Sequence, residues 1–135
     1  MTVQTRPERR ARAATRASAV YAAPSRRHGT GVFAARAYRR GQIVEYCPVL
    51  LVPEREMRAI GATGLREYLY EWGDDYALAL GLGSLYNHSS RPAAEVEARI
   101  DEHLLVVRAL RGIAPGEEIT ISYAATDELW FHPDE

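Results

Sequence analysis

Four short segments of this 135-residue chain carry the residue types that chemistry needs: RHGTGVFA (27–34), QIVEYCP (42–48), GLGSLYNHSSRP (81–92) and GEEITISY (116–123). Gly29-Thr30-Gly31 stands just before an apolar run, where residues without a Cβ let the main chain approach a ligand closely. The third glycine and following helix of a dinucleotide or phosphate loop are missing. Asn87-His88 sets an amide beside an imidazole, and Tyr123 ends the last apolar run with a phenol. A phenol aimed at a reacting group can orient it and stabilise charge that develops there. Taken singly, each has a plainer reading: a β-turn, a turn with a satisfied histidine, a core tyrosine. Cys47 is the single cysteine, so the chain can build neither an internal disulfide nor a zinc cluster, and no metal site is expected.

The elements that must position these residues read as short strands with Gly and Pro punctuation and little helix. Residues 94–100 alternate Ala94, Val96, Ala98 and Ile100 with Glu95, Glu97 and Arg99, the period of a half-buried strand. Asp101-Glu102 turns the chain, His103 to Leu110 returns as the partner strand, and Pro115-Gly116 turns it into a third strand over 117–123. ARAYRRGQIVEY (35–46) and VRALRGIAPGEEITISY (107–123) share Arg-Ala-x-Arg, a glycine turn and a terminal tyrosine, which predicts two related hairpins. PEREMRAIG (53–61) opens on Pro and acids and stops on Gly, predicting a short helix. REYLYEW (66–72) and YALALG (76–81) predict two strands about a Gly-Asp-Asp turn.

Together, in this order and spacing, the four segments resemble the SET-domain family of protein lysine methyltransferases over roughly residues 18–130, in a small, zinc-free, bacterial-type form. GTGVFA is similar to the family's Gly-x-Gly segment, IVEY to the strand that follows, GSLYNHS to its Asn-His motif and GEEITISY to the strand ending in its catalytic tyrosine. The resemblance implies a mainly β fold, a SET-type β-clip of short sheets whose C-terminal segment threads beneath a preceding loop, unlike most chains. It implies transfer of a methyl group from S-adenosylmethionine to a lysine side-chain amine of a protein substrate. Gly29, Thr30 and Gly31 would lie along the methionine part of that cofactor. Asn87 and His88 would lie beside its adenine and amino group, largely through backbone contacts. Tyr123 would be catalytic and close the methyl-transfer channel, touching the cofactor as well. On the substrate side, Tyr46 matches the tyrosine of the second motif, Tyr76 is a candidate for the channel wall, and Trp130 or Phe131 could cover the lysine channel in place of the three-cysteine zinc motif that many relatives carry. Two positions depart from the family's pattern: Ala93 follows Pro92 where asparagine is usual, and Pro48 stands where glycine is common. They motivate one alternative, a catalytically silent SET-like module that binds a peptide or partner protein. A β-clip domain binding carbohydrate or ice is a second, and it leaves Asn87-His88 and Tyr123 unexplained.

Composition bounds the rest. With 47% hydrophobic and 26% charged residues the chain is ordinary for a globular protein, and its length can bury roughly 70% of the extended-chain surface. No apolar run approaches the roughly 20 residues needed to span a bilayer, and no secretory signal is present, so a cytoplasmic protein without membrane contact is expected. Residues 1–40 hold ten arginines and only Glu8, whereas residues 41–135 hold seven arginines and seventeen carboxylates. All seventeen basic residues are arginine. The first seventeen residues are Arg/Ala-rich without apolar period, which predicts a basic, disordered arm able to meet an acidic partner. The expected organisation is therefore the arm over 1–17, a SET domain over 18–124 and a short C-terminal segment over 125–135 covering the active site. A homodimer is left open.

Overall fold

Alternating apolar residues and glycine turns give strands β1 (Val20–Pro24), β2 (Thr30–Ala34), β3 (Ile43–Val52), β4 (Leu69–Trp72), β5 (Asp75–Ala79), β6 (Asn87–His88), β7 (Ala94–Arg99), β8 (Leu104–Ala109) and β9 (Thr120–Ile121). They come from a computed structural model that describes residues 19–123; the arm over 1–17, the segment over 125–135 and with it Trp130 and Phe131 lie outside the described residues. β4-β5-β3-β8-β7 form one antiparallel sheet, β1 pairs antiparallel with β2, and β6 pairs parallel with β9. The mainly β architecture is as expected.

The core lies where these sheets meet. Val32 from β2, Cys47 from β3, Leu105 and Val107 from β8, Tyr86 before β6, and Ile119 and Ile121 around β9 are all at most 1% exposed. Burying such side chains contributes roughly 1.5–3 kcal/mol apiece for the larger ones. The opposite face of β3 leaves Tyr46 and Leu50 exposed.

The hairpin of β7 and β8 has the expected register, with Val96 opposite Val107 and Ala94 opposite Ala109. The third strand is shorter than expected, shrinking from 117–123 to Thr120–Ile121. The reason is that the pairing changes hands along the segment, residues 117–119 meeting β2 through the single bridge of Phe33 with Glu118 and only residues 120–121 running beside β6. Ala34 N donates to Glu117 O at 2.9 Å and Ile119 N to Val32 O at 2.8 Å, while β9 continues alongside β6. Residues 117–121 thus reach from β2 to β6.

Two further expectations are corrected. Residues 64–68 wind into a 3-10 helix, begun by the Thr63 hydroxyl accepting from Leu65 N at 3.3 Å, so the strand starts only at Leu69. The similar segments 35–46 and 107–123 do not make separate hairpins; they lie against each other. Tyr38 and Ile113 exchange two main-chain hydrogen bonds of 2.9 Å. Each is followed by a turn whose third residue is a glycine with positive φ, Gly41 at 87° and Gly116 at 82°. Gln42 Oε1 then accepts from Arg39 N at 2.8 Å, and Glu117 Oε1 from Ala114 N at 3.1 Å. The equivalent glycines are thus Gly41 and Gly116, because this turn needs positive φ at its third position, and the shared Arg-Ala-x-Arg is out of step with it. The short helix after Pro53 forms as expected, as a 3-10 turn over Glu54–Glu56 running into Met57–Ile60.

Candidate active site

Two clusters bring three of the four segments together, 27–34, 81–92 and 116–123. The first joins the turn after β1 to β6 and the approach to β9. Ser25 N donates to Gly29 O at 2.8 Å, closing a turn in which Gly29 adopts φ 45°. Asn87 Nδ2 donates both to His28 O and to Glu118 Oε2, each at 2.9 Å, and Ser25 Oγ donates to Glu118 Oε1 at 2.7 Å. Gly31 lies against this carboxylate: a Cβ there would collide with Glu118 Oε2 and come within 3.0 Å of Asn87 Nδ2. Gly29, Thr30, Gly31 and Asn87 therefore do share one place, and a residue not singled out by sequence, Glu118, ties them together. A Cβ on Gly29 would meet nothing within 4 Å, so the main chain there is open.

The second cluster surrounds Tyr123. Residues 86 and 88 hold that tyrosine at both ends. Its hydroxyl donates to the main-chain carbonyl of Tyr86 at 2.6 Å, and its main-chain N–H donates to His88 Nδ1 at 3.1 Å. The two rings are 5.3 Å apart at 50°. Because Nδ1 accepts, the neutral imidazole carries its proton on Nε2. Tyr70 is half-buried, its hydroxyl donating to Gly83 O at 2.7 Å. Burial, then the neighbouring Tyr68, Glu67 and Glu118, push the Tyr123 hydroxyl up to about 12. Burial also raises Tyr70 and Tyr86 well above the usual phenol value, with Tyr123 next in its effect on Tyr70 and Glu45 next in its effect on Tyr86. These phenols keep their protons more tightly when folded, so they stabilise the fold fully below pH about 10, where an unfolded tyrosine ionises. That stability should be lost as pH rises from about 10 through 12. Thermal melting from pH 8 to 12, followed with tyrosinate absorbance, is expected to show Tm falling as the buried phenols ionise, and a flat Tm above pH 10 would contradict the assignment.

Tyr68 and Tyr70 escaped the sequence reading, although the two-residue spacing of aromatics in REYLYEW was a signal. The acid in Gly116-Glu117-Glu118 that points inward was another. Tyr46 alternates with buried Cys47, which turns it to the outer face of β3, where it is 53% exposed with Arg99 6.0 Å above its ring. Tyr76 stands opposite Val52 and Glu71 and alternates with buried Ala77. Ala93 is fully buried, its N–H donating to Thr120 Oγ1 at 3.2 Å, so a small side chain suits the contact between β7 and β9. Among the described residues no group of three or more His, Cys, Asp or Glu could hold a metal.

The SET domain family model matches residues 29–124, a span that begins at the Gly29 turn and ends just past Tyr123. A relative in Schizosaccharomyces pombe, the histone-lysine N-methyltransferase specific for H3 lysine 37, is 36% identical over 110 residues, covering 80% of this chain and 74% of that protein. A Plasmodium falciparum protein, described as a candidate histone methyltransferase, has a crystal structure matching 83% of this chain and 96% of its own at a TM-score of 0.68 and 34% identity. With the matched span holding Gly29, Gly31, Asn87, Glu118 and Tyr123, the chain belongs to the SET domain family.

Proposed function

We propose that this protein transfers a methyl group from S-adenosylmethionine to a lysine side-chain amine of another protein. The observation that carries the reading is Tyr123, a neutral phenol held at both ends beside the Gly31, Asn87 and Glu118 cluster. The donor set fits the cofactor. Open main chain at Gly29 and the absence of a Cβ on Gly31 leave room for close approach, and the Glu118 carboxylate and the His28 carbonyl are acceptors suited to an ammonium group. When bound, S-adenosylmethionine supplies a methyl group made electrophilic by a positive sulfur.

The chain's own residues would do the rest. A lysine amine of reference pKa near 10.4 is neutral about once in a few thousand molecules at pH 7, a shortfall of roughly 4–5 kcal/mol. Partly buried aromatic walls at Tyr70 and Tyr123, with the exposed Tyr68 at their rim, remove water from the amine and so disfavour its charged form. Tyr123 keeps its proton across the physiological range, so its hydroxyl acts as a fixed dipole that orients the reacting groups. Alignment of nitrogen, methyl and sulfur is then a matter of proximity. Tyr46, Tyr76 and Trp130 are assigned to the substrate side by resemblance alone, and the arginine-rich arm, by its charge, to an acidic partner.

Calorimetry with S-adenosylmethionine and its demethylated product tests the cofactor assignment. Saturable heat with both supports it, and neither heat nor thermal shift at millimolar cofactor would return the silent module to favour. Because the chain holds no lysine, any lysine acceptor lies on another molecule. Purified protein incubated alone with the cofactor should gain no methyl group by intact mass, and stoichiometric self-labelling would contradict a strict lysine specificity.

A further inference from the structure

The register of β3 shifts between Ile43 and Glu45, so that Val44 is an extra residue and Glu45 comes to stand opposite Val107, whose side chain lies in the core. Bulges of this kind re-aim a side chain and recur beside active sites. Here the shift turns a carboxylate inward. Glu45 Oε1 accepts from the Tyr86 hydroxyl at 2.8 Å and Oε2 from Leu82 N at 3.0 Å, while the Cys47 thiol is a further side-chain hydrogen-bond neighbour. The loop from Gly81 to Tyr86 is fitted to it: a Cβ on Gly81 would fall 2.5 Å from Glu45 Oε2, and one on Gly83 would fall 2.9 Å from Cys47 Sγ. Tyr86 is 1% exposed, and its main-chain carbonyl is the group that accepts from the Tyr123 hydroxyl.

From this chain of contacts we infer that Glu45 is a positioning residue for methyl transfer, setting the place of the Tyr86 carbonyl and through it the direction of the Tyr123 hydroxyl. Glu45 clamps the loop at two points four residues apart, Leu82 N and the Tyr86 ring end, so the carbonyl of residue 86 has little freedom to shift. A hydrogen bond to a carboxylate is stronger than one between neutral groups, which suits a clamp. The inference rests on the reading of Tyr123 as the group that orients the reaction. Without the clamp the hydroxyl keeps a partner but loses its fixed aim, and displacement of a positioned group by about 1 Å can cost on the order of a hundredfold in rate.

A double-mutant cycle tests it, with single-turnover rates measured at saturating cofactor and substrate. Glu45→Ala in the otherwise unchanged protein is expected to lower kcat on the order of ten- to a hundredfold with KM nearly constant. In the Tyr123→Phe background the same change should cost almost nothing, because the hydroxyl it would misdirect is gone. Equal losses in both backgrounds overturn the proposal and leave the Tyr123 reading standing. If Tyr123→Phe itself turns over like the unchanged protein, the Tyr123 reading fails and the clamp falls with it. Should Glu45→Ala not fold, Tyr86→Phe removes the hydroxyl from the same link with one atom, and the cycle is read in the same way.

Discussion

Tyr123→Phe is expected to fold, to bind S-adenosylmethionine nearly as well as the unchanged protein, and to lower kcat by on the order of a hundredfold or more, the scale of losing one positioned polar group. The ring is retained, and with it the packing against the core and the contact with His88. Its main-chain N–H to His88 Nδ1 is untouched. What disappears is the hydroxyl donated to the Tyr86 carbonyl, which leaves a partly buried acceptor short of one donor and costs roughly 1–3 kcal/mol of stability at most. Melting temperature, cofactor titration and turnover separate the outcomes. A loss of turnover matched by loss of fold would make Tyr123 a core residue.

Gly31→Ala should be the most damaging single change in the cofactor-side cluster. The new methyl would be driven into the Glu118 carboxylate, and that carboxylate cannot swing away freely, since Ser25 holds one oxygen and Asn87 the other. Asn87 is itself fixed by His28 O. Overpacking of this kind costs typically about 1–3 kcal/mol, and here the strain falls on the groups proposed to meet the cofactor. We expect Tm to fall and the cofactor Kd to rise by at least about tenfold, since each 1.4 kcal/mol is a tenfold change in affinity. Gly29→Ala separates the two costs: its methyl meets no protein atom, so the fold bears only the strain of a side chain at φ 45°, and any further rise in cofactor Kd reports the space left for the cofactor. Equal cofactor affinity in Gly31→Ala and the unchanged protein would remove this cluster from the site.

Local pattern made some of this legible in the sequence and left the rest hidden. The alternation of Ala94, Val96 and their acidic neighbours specified β7 because the face they share is buried at Ala94 and partly at Val96, though not at Ala98, and its partner follows within a few residues. The resemblance marked Gly31, Asn87 and Tyr123, which the structure gathers into two adjoining clusters. Glu118 and Glu45 were not legible as site residues, because what fixes them is long-range. Ser25 and Glu118 are 93 residues apart and Glu45 and Tyr86 are 41 apart, distances over which no periodicity runs. The same holds for β9 and the residues before it, whose partners come from β6 and β2 rather than from their own turn. Glu45 had a further obstacle. Strict alternation with buried Cys47 and Val49 would place it inward, but buried Val44 beside it argues the opposite, and only the shift in register reconciles the two.

Methyl transfer can be measured outright. The protein is incubated with S-adenosylmethionine carrying a labelled methyl group and a mixture of lysine-bearing proteins that includes histones, and the labelled residue is located by mass spectrometry. Label is expected on a lysine side chain of another protein with the unchanged chain, and at least about a hundredfold less with Tyr123→Phe. Label on a residue other than lysine, or equal label with both proteins, would contradict it.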